Sequence, residues 1–100
     1  MAALRIRAQA RAEIAEAFDW YLARSPDASA DFLVELDVAM NRIVEAPEHF
    51  PVVRGRLRRV LLRRFPYAVY YKPYATNISV VGVIHGHRHP ATWLQRAGPY

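Results

Sequence analysis

The sequence predicts a small α+β domain. An N-terminal strand, an αα-hairpin and three further strands follow one another in the order β-α-α-β-β-β, with the hairpin packed on an antiparallel sheet of those three remaining strands. Three observations carry this prediction. One hundred residues can build one hydrophobic core, so the chain is a single domain over 1–100. The apolar period switches from two to about 3.6 near Gln9 and back again after Pro47. Hydrophobic residues make up 53% of the chain, which excludes a disordered polypeptide.

Leu4, Arg5, Ile6 and Arg7 alternate apolar and basic, the pattern of a short strand with one buried face. Ile14, Phe18, Tyr21 and Leu22 then fall at i, i+4, i+7 and i+8, the stripe of an amphipathic helix. That helix should stop by Arg24, because the residue before Pro26 resists helical torsions. Ser25, Pro26 and Asp27 read as the start of a second helix: a capping hydroxyl, a proline in the first helical position and an acid in the first turn. Leu33, Leu36, Met40, Ile43 and Val44 should face inward, and the helix should end at Ala46, ahead of Pro47. The stripes containing Phe18, Tyr21 and Met40 read as core rather than as contacts to a cofactor. Three β-rich runs follow, at residues 57–64, 67–71 and 78–84. Pro66 separates the first two, and residues 72–77 form the turn before the third. Trp93 and Leu94 belong to a short tail or helical turn. There is no internal repeat and no linker long enough to divide the chain.

Composition narrows the function. The chain has no cysteine, hence no disulfide framework, thiolate metal site or thiol nucleophile. Its longest apolar run, residues 78–84, is far shorter than the roughly 20 residues that cross a bilayer. The N-terminus lacks an apolar segment of secretory length, so a cytoplasmic protein without membrane attachment is expected, and nothing in the pattern calls for a cofactor.

Charge is distributed unevenly. Residues 1–48 hold all nine acids against five arginines, whereas residues 49–100 hold eight arginines, one lysine and no acid. An acid-free half-chain points to an anionic partner, either nucleic acid or an acidic protein that covers it. Arg54, Arg56, Arg58, Arg59, Arg63 and Arg64 crowd into eleven positions. On a regular strand Arg59 and Arg63 share a face with Leu57 and Leu61, and Arg58 shares the other with Val60 and Leu62. Neither face is purely polar, so some of these guanidiniums need a partner. As a group they read as a phosphate-binding surface, with Tyr67, Tyr70 and Tyr71 available to stack on bases. In the alternative, the tyrosines fill the core and the arginines pair with helix acids such as Glu13, Glu16 or Asp37.

His85, His87 and His89 alternate around Arg88. On an extended strand they would point one way, as a metal requires, but Gly86 and Pro90 favour a strand end, and no Cys, Asp or Glu after Glu48 completes a ligand set. No metal site is expected. In an acid–base reading, His85 or His87 would move protons and Arg88 and Arg59 would hold a phosphate, as cleavage of RNA at a 2′-hydroxyl needs.

The order of elements, residues 63–71 (Arg63 to Tyr71), residues 79–90 (Ser79 to Pro90) and Trp93 together resemble the RelE/ParE superfamily of toxins from type II toxin–antitoxin pairs. The likeness covers about residues 4–96. Each motif is degenerate, and their combination in this order is what is specific. The RelE-like branch cuts mRNA on the ribosome, and the ParE-like branch poisons DNA gyrase. Arg88 matches an arginine of the RNase branch and Arg59 one of its basic strand residues. Ala68, however, stands about where that branch carries a further arginine. The glutamate base of some members has no counterpart after Glu48. Where others carry a C-terminal tyrosine, this chain has Trp93 and Leu94, with Tyr100 farther on. The resemblance is therefore nearer to ParE-like members. It implies a growth-inhibiting toxin acting on DNA gyrase, with the arginine run, Arg88 and Trp93 contacting target or antitoxin. It also implies a cognate acidic antitoxin, partly disordered when free, that forms a hetero-oligomer with the toxin. The alternatives are a ribosome-dependent endoribonuclease and a nucleic-acid-binding module without toxicity.

Overall fold

The computed structural model describes residues 3–86. His87, Arg88, His89, Trp93 and Leu94 lie outside the described residues. Seven elements follow in order: β1 Ala3–Ile6, α1 Ala8–Arg24, α2 Pro26–Glu45, β2 Val52–Arg54, β3 Leu57–Leu61, β4 Tyr67–Pro73 and β5 Asn77–His85. The sheet order is β1-β5-β4-β3-β2. β2 through β5 form the antiparallel meander, whereas β1 adds to β5 in parallel, with Leu4 opposite Ile78 and Ile6 opposite Val80. The sheet is thus mixed and five-stranded, with one strand more than sequence periodicity indicates. β2 is only three residues long, below the length at which alternation can be recognised. It is joined to β3 by a turn in which Gly55 adopts φ 55°, a conformation that suits glycine.

The helical hairpin forms where expected. Ser25 ends α1 and starts α2: its N–H donates to the Tyr21 carbonyl, and its hydroxyl accepts from the Ala28 N–H at 3.2 Å. α2 ends at Glu45, with the Ala46 N–H still bonded to the Arg42 carbonyl. Two inward stripes differ from expectation. In α1 the buried positions are Ala10, Glu13 and Ala17, with Ile14 and Tyr21 half-buried, while Leu22 is 45% exposed. Small alanines let the helix approach the sheet closely, so the inward face follows the alanines rather than the largest side chains. In α2 Phe32 is fully buried and its neighbour Leu33 is 41% exposed, because Phe32, Leu36, Ala39, Met40 and Ile43 already fill the inward face. The β3 run also ends early, at Leu61, where the chain turns through Pro66 into β4 and the Leu62 N–H bonds back to the Tyr67 carbonyl.

The core between helices and sheet contains Phe32, Met40 and Ile43 against Val60, Val69, Tyr71, Val80 and Val83. On the opposite face Leu57, Ala68, Tyr70, Val81 and Ile84 form a second buried cluster. Tyr70 and Tyr71 are therefore packed rather than available for stacking on bases. A register shift between them lets two successive tyrosines serve the two faces.

Tyr71 is fully buried, and its hydroxyl donates to the Pro47 carbonyl at 2.6 Å, tying the segment after α2 to the sheet. Burial pushes this phenol up to about 12, a rise partly opposed by the nearby Arg58 guanidinium. A folded value above the unfolded one of 10.0 means stability that is complete below pH 10 and lost as pH rises toward 12. Tyr71→Phe should cost about 1 kcal/mol at neutral pH and flatten the fall in stability across that alkaline window, read by urea unfolding at several pH values. An unchanged alkaline limb would show that Tyr71 does not govern it.

Candidate functional site

The arginine run divides by function once folded. Arg58 projects to the helical side, where its Nη1 donates to the Phe50 and Glu48 carbonyls at 2.7 and 3.0 Å. Backbone oxygens, not acids, satisfy this half-sunk guanidinium, which holds the loop after α2 in place. Arg56 donates to the Pro73 carbonyl at 3.3 Å and lies over the Tyr74 ring at 4.8 Å. Arg64 binds α2: its Nε lies 3.0 Å from Glu35 Oε2, its backbone N–H donates to Glu35 Oε1 at 2.7 Å, and Nη1 sits 3.9 Å from Asp31. Burial alone would raise the Glu35 pKa, but the backbone and side-chain donors of Arg64 outweigh it and hold the carboxyl below its ordinary value. The helix acids that Arg64 meets are Asp31 and Glu35. Arg54, Arg59 and Arg63 are exposed.

Two cavities flank the segment that leaves β3. On the helical side a groove of about 400 Å³ runs between α2 and residues 61–64. Its floor is apolar: Val34 is 61% exposed, Val38 50% and Leu61 62%, unusually open for side chains of this type. Arg42, Arg63 and Arg64 line it as well, and Glu35, already held by Arg64, is the one acid in the lining. Val34, Val38 and Arg42 recur at i, i+4 and i+8, so they share a stripe of α2 distinct from the core stripe. That spacing was visible in the sequence, but the inward stripe of the same helix masked it.

The groove also borders an open strand edge. β2 pairs with Leu57 and Arg58 alone, and Arg59 is bonded to Pro51 at 3.3 Å. Beyond that point β3 has β4 on one side and no strand on the other among the described residues. Such an edge accepts an added strand.

The second cavity, about 620 Å³, lies on the other side of the same segment and is lined by Arg59, Arg63, Tyr67, Tyr70 and His85 among others. It brings Arg59 and His85, two of the sequence-predicted candidates, into one hollow. Tyr67, half-buried, meets the His85 ring edge-on at 5.1 Å. The described lining contains one imidazole and no carboxylate. Among the described residues no three His, Asp or Glu side chains gather as a metal would require, and no helix is long and apolar enough to cross a membrane.

Similarity to known proteins adds to this geometry. No curated protein matches the chain in sequence. A solved structure titled "Chromosomal ParDE TA system from P. aeruginosa" superimposes with a TM-score of 0.74 at 15% identity, covering 85% of this chain and 96% of the other, a likeness of fold. The family described as ParE toxin of type II toxin-antitoxin system, parDE, matches residues 4–90, from the first strand through the end of β5 and beyond it. The chain thus belongs to the ParE toxin family of type II toxin–antitoxin systems.

Proposed function

We propose that this protein inhibits growth by acting on DNA gyrase, and that an acidic antitoxin segment neutralises it by docking in the groove between α2 and β3. The observation that carries the neutralisation is the groove itself: an apolar floor of Val34, Val38 and Leu61 with cations at its sides and an unpaired strand edge beside it. An extended or helical segment carrying alternating acidic and apolar side chains fits both features. It would cover Arg63 while burying the three exposed aliphatic residues. A target poisoned by binding rather than cut is supported by family membership.

Two substitutions test the docking site without disturbing the fold, because both side chains are exposed. Val38→Asp and Arg63→Glu should each weaken the complex with the product of the adjacent reading frame by about tenfold or more, measured by titration calorimetry. Each variant should also need more co-expressed antitoxin to restore growth. Arg64 is unsuitable for this purpose, since it also anchors the loop to α2. Wild-type affinity in both variants would place the antitoxin elsewhere.

A second reading, ribosome-dependent mRNA cleavage, is favoured by one observation, the meeting of Arg59 and His85 in a single hollow. New message ends at codon-linked positions after induced expression, abolished by Arg59→Ala and His85→Ala, would select it. Intact messages would remove it.

A further inference from the structure

The sheet edge farthest from the groove gathers cations of its own. Arg5 on β1, Ser79 on β5 and Lys72 on β4 are register partners across three adjacent strands, so they form one row. Arg7 follows at the end of β1, and its Nε donates to the Ser79 hydroxyl at 2.8 Å. A cavity of about 490 Å³ opens beside this row, lined by Arg5, Ile6, Arg7, Tyr74, Asn77 and Ser79. Lys72 lies next to it with only 2% of its surface exposed, and Arg56 stands behind the Tyr74 ring. Burial lowers the Lys72 pKa, and Arg7 and Arg56 lower it further, so these like charges are close enough to feel one another.

Every acid of the chain lies between Glu13 and Glu48, on the helices or just after them, so no strand of the sheet carries one. Four cations held together by β1, β4 and the turn before β3 thus form a local excess of positive charge. We propose that this corner is a phosphate-binding site, in which Arg5 and Arg7 clasp the oxyanion and the Ser79 hydroxyl, Asn77 amide and Tyr74 hydroxyl complete its donor shell. The planar guanidinium matches phosphate bidentately. The remaining donors outnumber what the two oxygens of a carboxylate would engage and suit the larger oxygen set of a phosphate group. Free phosphate, a nucleotide or the phosphodiester of a nucleic acid present that same chemistry. The site lies at the other end of the strand order from the α2–β3 groove, so its success or failure is independent of the antitoxin reading.

The test is a titration of the whole chain followed through backbone amide resonances, with inorganic phosphate, a nucleoside 5′-monophosphate, a short oligothymidylate and an acidic peptide as separate probes. Saturable shifts at Arg5, Arg7, Asn77 and Ser79 are expected with phosphate. Arg5→Gln, whose side chain is exposed, and Ser79→Ala should each weaken binding by about tenfold, the worth of one charge-assisted hydrogen bond. Arg24→Gln, at the far end of α1, should leave it unchanged. Tighter binding of the oligonucleotide than of the mononucleotide would identify a nucleic-acid backbone as the source, and equal affinity a small phosphate compound. The proposal is overturned by an absence of saturable shifts with every phosphate probe. It is equally overturned by binding that survives both substitutions, or by an acidic peptide that competes as well as phosphate.

Discussion

Phe32→Ala is expected to destabilise the domain by about 4 kcal/mol, a large share of the 5–15 kcal/mol typical of folded domains. Phe32 is completely buried, and its ring lies 5.5 Å from those of Tyr21, Phe65 and Tyr67. These residues come from α1, the β3–β4 connection and β4, so one side chain of α2 joins three other segments. Truncation removes the apolar burial and leaves a void that the three remaining rings, Phe65 and Tyr67 already packed on Tyr21, cannot readily close. Phe32→Leu keeps most of the volume and should cost about half as much. Urea unfolding of both variants measures the difference. A loss below about 1.5 kcal/mol for the alanine variant would mean that the aromatic cluster rearranges to fill the space.

Glu13→Ala is expected to cost about 3 kcal/mol, although it removes a charged residue from a helix. Glu13 is 95% buried on the inward face of α1, where its Oε1 accepts a hydrogen bond from the Val83 N–H at 3.0 Å. The reason lies in the topology. β1 accompanies β5 only as far as Val80, whose carbonyl takes the Arg7 N–H, after which the chain turns into α1. Val83 lies farther along β5, and Glu13 reaches across to supply an acceptor where no β1 residue does. Without it a buried donor loses a charge-assisted bond worth roughly 1.5–3 kcal/mol and is left unsatisfied. Glu13→Gln retains a carbonyl acceptor and should cost about 1 kcal/mol. Faster amide exchange at Val83 in the alanine variant, and not in the glutamine variant, would locate the effect. Equal losses in the two variants would show that charge, rather than the acceptor, matters at this position.

The elements legible in the sequence are those with strong local signals. The Ser25-Pro26-Asp27 junction defines both helices because capping and proline torsions act over a few residues. The β-rich runs define β4 and β5 because their side chains are buried on both faces. What the sequence did not show depends on the fold as a whole. The parallel pairing of β1 with β5 joins residues more than seventy positions apart. The inward stripe of α1 could not be read from large side chains, since Ala10 and Ala17 occupy it. The arginine run looked uniform as a string of letters. In the fold Arg58 supports a loop, Arg64 is tied to α2, and Arg59 and Arg63 face the two cavities. That division follows from which carbonyls and carboxylates happen to stand opposite, and it turns on where α2 lies against β3. The groove floor is illegible for a related reason: Val34 and Val38 lie on a stripe of α2 outside the core face that Phe32 and Leu36 fill, and only the placement of residues 61–64 beside it makes a groove.

The two edges of the sheet differ in chemistry. The β3 side combines exposed aliphatic surface with arginine, suited to an acidic amphipathic protein segment. The β1 side is polar and cationic, suited to a phosphate. This separation would let the protein engage an antitoxin and a phosphate-bearing ligand at opposite margins of one sheet.

The proposed action of this ParE-family chain on DNA gyrase is tested most directly by gyrase activity on plasmid DNA with the purified protein present. The account predicts loss of supercoiling and accumulation of gyrase-linked double-strand breaks, both reversed when the antitoxin is added. Undiminished supercoiling without trapped breaks, at protein concentrations that stop growth on expression, would contradict it.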